Sequence, residues 1–257
     1  MAGPTTARRG TGQQQDDPAR PPRPTSRRLL IVITVGVLLL ASGSVWALYG
    51  SSWLRAEQVT TTGVDVLTPA EVEAAAAVPI GAPMVSVDTD AIADRLRQKL
   101  PRIDSVDVVR SWPHGIGLKV TERKPVLLMK KDTKFIEVDV KGVRFATVDR
   151  APKRVPLLEL TPDQSASLRR FGSGRLVREA VRVAGELPGA VAKDTRVVRV
   201  TSYDSISLEL TGDRTVFWGS GEEGPVKARV LTALMKAGPK AGHFDVSAPT
   251  APAVSGS

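Results

Sequence analysis

Apolar positions fall along this chain in four different rhythms. Residues 1–28 have almost none, and Pro, Gly, Gln, Thr and Arg dominate there. Such a stretch buries too little surface to offset its ordering entropy, so a disordered tail is expected. Residues 29–49, LLIVITVGVLLLASGSVWALY, are the reverse, 21 residues without a charge. As a helix they reach about 31 Å, the depth of a bilayer core. Arg27 and Arg28 precede the run, and Trp46, Tyr49 and Trp53 stand at its far end. Amphipathic rings favour a membrane interface, and the positive-inside rule then places the N-terminus in the cytoplasm and residues beyond about 51 outside. A cleaved signal peptide competes with this reading, with Val45 and Ala47 as small-residue cleavage positions. The long leading tail and the continuation of the apolar run past that site favour a retained anchor.

Residues 53–123 mix the two periods of folded structure. A strand is expected near residues 56–63, ending at Gly63. Thr68-Pro69-Ala70-Glu71 starts a helix: Thr68 can cap, Pro69 suits the first helical position, and Glu71 can bond back. That helix ends before Pro79. A second starts at Asp88, with Ile92, Leu96 and Leu100 on one face, and stops at Pro101. Val106 and Val108 then alternate with polar residues, as do Ile116, Leu118 and Val120. Period two on both arms predicts a hairpin whose turn is residues 112–115, with Gly115 tolerating positive φ and Trp112 packed over the sheet end. The order β-α-α-β-β makes a small domain of two helices on a three-stranded sheet.

Residues 124–247 read as β-rich with two helices. Strands are expected at 126–130, in a hairpin over 134–149 turning at Lys141-Gly142, at 155–160, in a pair over 195–210 around Tyr203-Asp204, at 215–220, and last at 243–247. Helical spacing marks 175–187, stopped by Pro188-Gly189, and 225–236, opened by Pro225. Phe244 and Val246 alternate in the final strand, which would leave an exposed sheet edge. Residues 248–257 follow as an edge segment or a frayed, Pro-containing tail.

Composition narrows the chemistry. The net charge is +9; residues 1–28 carry six Arg against two Asp, and residues 51–123 carry eight basic against ten acidic side chains. No basic run interleaved with aromatics suggests a nucleic-acid groove. The absence of cysteine removes thiolate metal sites and thiol nucleophiles. His114 and His243 lie far apart and form no metal-binding pattern. Asp88 and Asp90 read as helix-start residues, since the glycine of a calcium loop is missing. The loop GSGEEGP lacks the Lys-Ser/Thr ending of a phosphate-binding loop. Ser202, Asp204 and His243 could be imagined as a triad, but no nucleophile elbow surrounds a serine. No catalytic, cofactor or metal residue is therefore assigned.

The segments VTTTGVDVLTPAEV, GAPMVSVD, LRQKLPRIDSVDVVRSWP and LKVTERKPV resemble the POTRA domain of the FtsQ/DivIB family of bacterial division proteins. VDVKGVRF, VPLLEL, TVFWGS with Lys227, and HFDVS are similar to elements of that family's second domain. Glu122-Arg123 would mark the exit between the two; alone it would read as a solvated pair at a strand end. The resemblance implies an α+β fold: a disordered tail (1–28), one transmembrane helix (29–49), an external POTRA domain (53–123), a β domain (124–247) and a terminal segment (248–257). It implies a non-enzymatic scaffold, without cofactor or small-molecule substrate, concentrated at the septum. Its partners would be FtsB/DivIC-like and FtsL-like proteins. The family's partner-facing segment aligns with residues 248–254, which gives Ala248, Pro249, Thr250, Ala251 and Val254 as contacts, with Phe244, Val246, Val216 and Trp218 beside them. Pro249 and Pro252 each remove an N–H that a paired strand would use. Ser247 stands where the family often has a basic residue. A POTRA module of a transport or assembly system is the competing function, and a membrane-tethered wall enzyme a third. The Arg/Ala/Val-rich composition points to an actinobacterial source.

Overall fold

The computed structural model describes residues 27–161 and 166–256, with only the backbone for 166–171. The tail expected over residues 1–28 lies outside the described residues, except for Arg27 and Arg28, which open helix α1 (Arg27–Gly50). That helix buries no side chain against protein and is long and apolar enough to cross a membrane. It forms one unit; residues from Trp53 onward form a second.

The outer unit begins with β1 (Gln58–Thr62), α2 (Pro69–Ala76), α3 (Thr89–Lys99), β2 (Ile103–Ser111) and β3 (Gly115–Glu122). The expected capping box is present: Thr68 accepts from the Glu71 N–H, and Glu71 accepts from the Thr68 N–H at 2.8 Å. That backbone bond holds the Glu71 carboxyl below its usual range. Asp88 caps α3 by accepting from the Ala91 N–H at 2.9 Å, as a helix-start residue should. The sheet order is β1-β3-β2, with β1 parallel to β3 and β2 antiparallel to it. Val72, Ala76, Ile92 and Leu96 from the helices meet Ile103, Ile116, Leu118 and Val120 from the sheet in one core. Gly63, where β1 ends, has φ +81, and a Cβ there would lie 2.1 Å from the Val120 carbonyl oxygen. Only glycine fits that approach.

The hairpin turn departs from expectation in two ways. Trp112 is 53% exposed rather than packed over the sheet end. Gly115 is not among the glycines at positive φ; the space beside it is closed instead by the Ser111 carbonyl, which would lie 3.1 Å from a Cβ at that position.

A nine-stranded sheet follows. Its strands are β4 (Leu127–Lys131), β5 (Lys134–Val138), β6 (Arg144–Val148), β7 (Leu157–Leu160), β8 (Thr195–Ser202), β9 (Ser205–Leu210), β10 (Thr215–Gly219), β11 (His243–Asp245) and β12 (Ala253–Ser255). Its order is β12-β11-β10-β9-β8-β7-β4-β5-β6. Helices α4 (Ala166–Glu186) and α6 (Gly224–Ala237) pack against it and against each other. Leu176, Val177, Ala180 and Leu231 from those helices bury Val198, Val200, Ile206 and Leu208. Two elements differ from the sequence reading. Pro188-Gly189 does not simply stop a helix; Pro188 precedes a further short one, α5 (Gly189–Asp194). And β11 is not the last strand, because β12 pairs antiparallel with it.

Candidate partner-binding edge and the junction behind it

The strands that would carry a partner are β10, β11 and β12, and their alternation decides what each side chain can do. On β10, Val216 and Trp218 point inward and are fully buried, while Phe217 between them is 41% exposed. On β11 and just past it, Phe244 and Val246 are also buried in the core. The family resemblance puts these four residues beside a partner; in the structure their side chains are buried in the core. They are the apolar partners of α4 and α6, because the period-two pattern that marks a strand puts its hydrophobic members on the covered face.

The free edge lies one strand further out. After β11, the Asp245 Oδ1 accepts from the Ser247 N–H at 2.9 Å and from its hydroxyl at 2.7 Å. This Asx turn ends the strand and gives Ser247 a local role. The Ala251 N–H bonds the Ala248 carbonyl at 3.0 Å, and the chain reverses. Ala248, Thr250 and Ala251 are exposed there and Pro249 is half-buried. Pro249 and Pro252 thus sit in and beside a turn rather than in a ladder. Residues Ala253–Ser255 then return along β11, with His243 opposite Ser255 and Phe244 opposite Val254. All three β12 residues are exposed, Val254 at 40%. An open hollow of about 470 Å³ beside them is lined by Gly238, Pro239, Lys240 and Val254, among others.

Loop residues brace this edge from behind. Lys227 of α6 is almost fully buried and donates to the Ser220 carbonyl at 2.9 Å. Burial pushes its amine below the usual lysine range, opposed by the nearby Glu223, Glu222 and Glu186 carboxylates. Gly219 has φ +78 and lies so near Ser247 that a Cβ would be 2.9 Å from the serine Cβ. The glycine-rich stretch that leads into α6 therefore also packs β10 against the exit of β11.

The imagined triad is not assembled. Ser202 donates to Asp204 at 2.6 Å in the β8–β9 turn. His243 instead meets Thr215 at 2.6 Å. Thr215 pairs with Glu209, at the opposite end of β9 from Ser205. Among the described residues, no cluster of three or more His, Asp or Glu could hold a metal.

Glu122 and Arg123, a solvated pair by sequence alone, are both enclosed. Glu122 is nearly buried and accepts from the N–H groups of Asp65, Val66 and Leu67 at 2.9, 3.1 and 2.9 Å. It pins the loop that leads into α2. Arg123 donates to the Pro101 carbonyl at 3.0 Å, to Asp104 at 2.9 Å and to Asp139. Asp139 also accepts from the Lys141 and Val143 N–H groups, and Lys141 bonds Asp104 at 2.6 Å. The Lys141 hydrogen bond holds the Asp104 carboxyl below its usual range. Nearby, Arg102 pairs with Glu137 at 2.7 Å and lies over the Phe145 ring, 5.2 Å from its centroid. Arg102, Asp104 and Arg123 come from the first core's strands and exit; Glu137, Asp139, Lys141 and Phe145 come from the large sheet. The charges are plain in the sequence, but the partners of Glu122 and Arg123 lie 16 to 57 residues away.

Among the described residues these features define a class: one apolar helix followed by a small β-α-α-β-β domain locked to a large sheet whose terminal edge is open. Residues 54–123 match the family model for a POTRA domain of FtsQ type. The chain is 66% identical over 271 residues to the cell division protein FtsQ of Streptomyces venezuelae, covering all of this chain and 99% of that protein. It is 32% identical over 253 residues to the FtsQ of Mycolicibacterium smegmatis, covering 96% of this chain and 71% of that one. Among solved structures, the major extracytoplasmic domain of the cell division protein DivIB from Geobacillus stearothermophilus covers 46% of this chain and is itself covered to 94%, at 16% identity and a TM-score of 0.34. The chain belongs to the FtsQ family of cell division proteins, and the relatives named from Streptomyces and Mycolicibacterium are actinobacterial.

Proposed function

We propose that this protein is a non-enzymatic, membrane-anchored scaffold of the division machinery that holds FtsB/DivIC-like and FtsL-like partners and couples them to septal wall synthesis. Helix α1 anchors it with the N-terminus in the cytoplasm and the outer unit outside. One observation carries the partner reading, the unpaired edge at Ala253–Ser255. The Thr215 N–H bonds the Gly242 carbonyl at 2.8 Å, and the Val246 N–H bonds the Phe217 carbonyl at 2.9 Å. This turns the Phe244 amide and carbonyl toward β10. His243 and Asp245 therefore face β12, and the Val254 N–H and C=O point outward. An incoming strand would bond there. Pro252, two residues earlier, offers only a carbonyl, so the ladder is short and needs side-chain contacts. Ala248, Pro249, Thr250, Ala251 and Val254 remain the contact set on this reading, now with exposed Phe217 on the neighbouring face. The buried Phe244, Val246, Val216 and Trp218 support the strand without touching the partner.

The test compares partner binding by the full chain with binding by a chain ending after Ser247. Loss of binding on truncation is the expected result. Equal affinity would remove the β12 edge from the site.

A further inference from the structure

We propose that one end of the outer unit, bearing Trp53, Ile80 and Trp112, lies in the headgroup region of the bilayer that α1 crosses; this rests on the anchor reading given above. Three chain segments meet at that end. The first is residues 53–57, where the outer unit begins. The second is the loop between α2 and α3. The third is the turn of the β2–β3 hairpin. Backbone bonds stitch them together: Ala56 N–H to the Ala82 carbonyl at 2.9 Å, Gly81 N–H to the Ala56 carbonyl at 2.7 Å, and Glu57 N–H to the His114 carbonyl at 2.9 Å. Side chains add to the stitching. Arg55 donates to the Gly81 carbonyl at 2.7 Å, and Arg110 to the carbonyls of Met84 at 3.0 Å and Val87 at 2.5 Å.

On this braced surface Trp53 is 71% exposed, Ile80 60% and Trp112 53%, and Val85, in the same loop as Ile80, is 37% exposed. Large apolar side chains held outward by a bonded framework mark a contact surface. Tryptophan combines an apolar body with an N–H donor, which suits it to the boundary between headgroups and acyl chains. The charges do not oppose it: residues 53–57, 77–88 and 110–115 contain Arg55 and Arg110 against Glu57 and Asp88. Only Ser51 and Ser52 separate Gly50, the last residue of α1, from Trp53. That link reaches about 10 Å when extended. A surface tethered so closely meets the bilayer at high effective concentration, so weak contacts suffice. The opposite end of β3 carries Glu122 and continues into the large sheet, so the partner edge and the lipid-facing end belong to different parts of the unit.

The chain has no cysteine, so single cysteines can be introduced without background. The full chain would be reconstituted in phospholipid vesicles containing anionic lipid, with a nitroxide at Ser111→Cys, Ser86→Cys, Glu222→Cys or Leu38→Cys in turn. Labels at 111 and 86 should be shielded from a water-soluble nickel relaxing agent and open to oxygen, unlike the label at 222. Adding Trp53→Ser and Trp112→Ser to Ser111→Cys should restore nickel access. If positions 111 and 86 behave like 222 while 38 reports lipid, this proposal fails and the anchor stands. An aqueous signal at 38 would overturn both. Shielding that disappears when protein is diluted in lipid would assign the surface to a second protein copy instead, and also overturn the proposal.

Discussion

Removing Arg123 should unlock the two cores of the outer unit. The guanidinium holds Asp139, whose side chain is 4% exposed, and Asp104, whose side chain is 30% exposed. Truncating one member of an enclosed ion pair leaves the other charge without its partner, at about 3–5 kcal/mol. Two facts place Arg123→Ala near the lower end. Asp139 keeps the Lys141 and Val143 N–H groups, and Asp104 keeps Lys141. The expected loss is therefore about 3 kcal/mol, or a fall in Tm of about 6–12 °C for a unit of this size. Thermal and urea unfolding of the outer unit give the number. The double variant Arg123→Ala/Asp139→Ala should lose less than the sum of the two single variants, by about 1–3 kcal/mol, because the pair shares one interaction. A single variant within about 0.5 kcal/mol of the parent, a surface-like result, would refute the reasoning. Strict additivity would show that Arg123 acts independently of Asp139, through Asp104, the Pro101 carbonyl and packing.

Four further outcomes follow from the same geometry. Gly63→Ala should destabilise by about 3 kcal/mol, since the Val120 carbonyl cannot retreat and the backbone there is left-handed; melting of the variant checks it. Trp112→Ala should change stability by less than about 1 kcal/mol, because its ring is half exposed; a larger loss by calorimetry would place the ring in a core. Asp104 has a depressed folded-state pKa, so its contribution is complete above the unfolded carboxylate pKa and disappears as pH falls through the folded value. Asp104→Asn should thus be less stable than the parent at neutral pH and converge with it in strong acid, read from urea midpoints across pH. Finally, a cysteine at Arg150 should react with an impermeant thiol reagent on intact cells and one at Gly10 should not; reaction at both would sink the proposed topology.

Much of this architecture is legible in the sequence because each element obeys one period. Ile92 and Leu96 are buried on one helix face, and Ile116, Leu118 and Val120 on one strand face, as their spacing requires. The departures have physical causes. β12 has three residues exposed on both sides and follows prolines, so it offers no alternation to detect. α5 is six residues long, and a proline that can stop one helix also suits the start of the next. Val216, Trp218, Phe244 and Val246 do lie on or beside strands, but periodicity does not say whether a helix will cover their face. Glu122 and Arg123 look ordinary in sequence because a charge's enclosure depends on loops and turns that only the folded chain brings near.

The charge lock at residues 102–141 also bears on how this protein can be recombined. The two sheets have separate hydrophobic cores, which invites treating them as interchangeable cassettes. Yet Arg102, Asp104 and Arg123 on one side are matched to Glu137, Asp139 and Lys141 on the other. A chimera that exchanges the first domain at residue 123 inherits half of each pair. Such hybrids should fold well only when the donor supplies the same charges, or when the β5–β6 hairpin travels with the domain it grips.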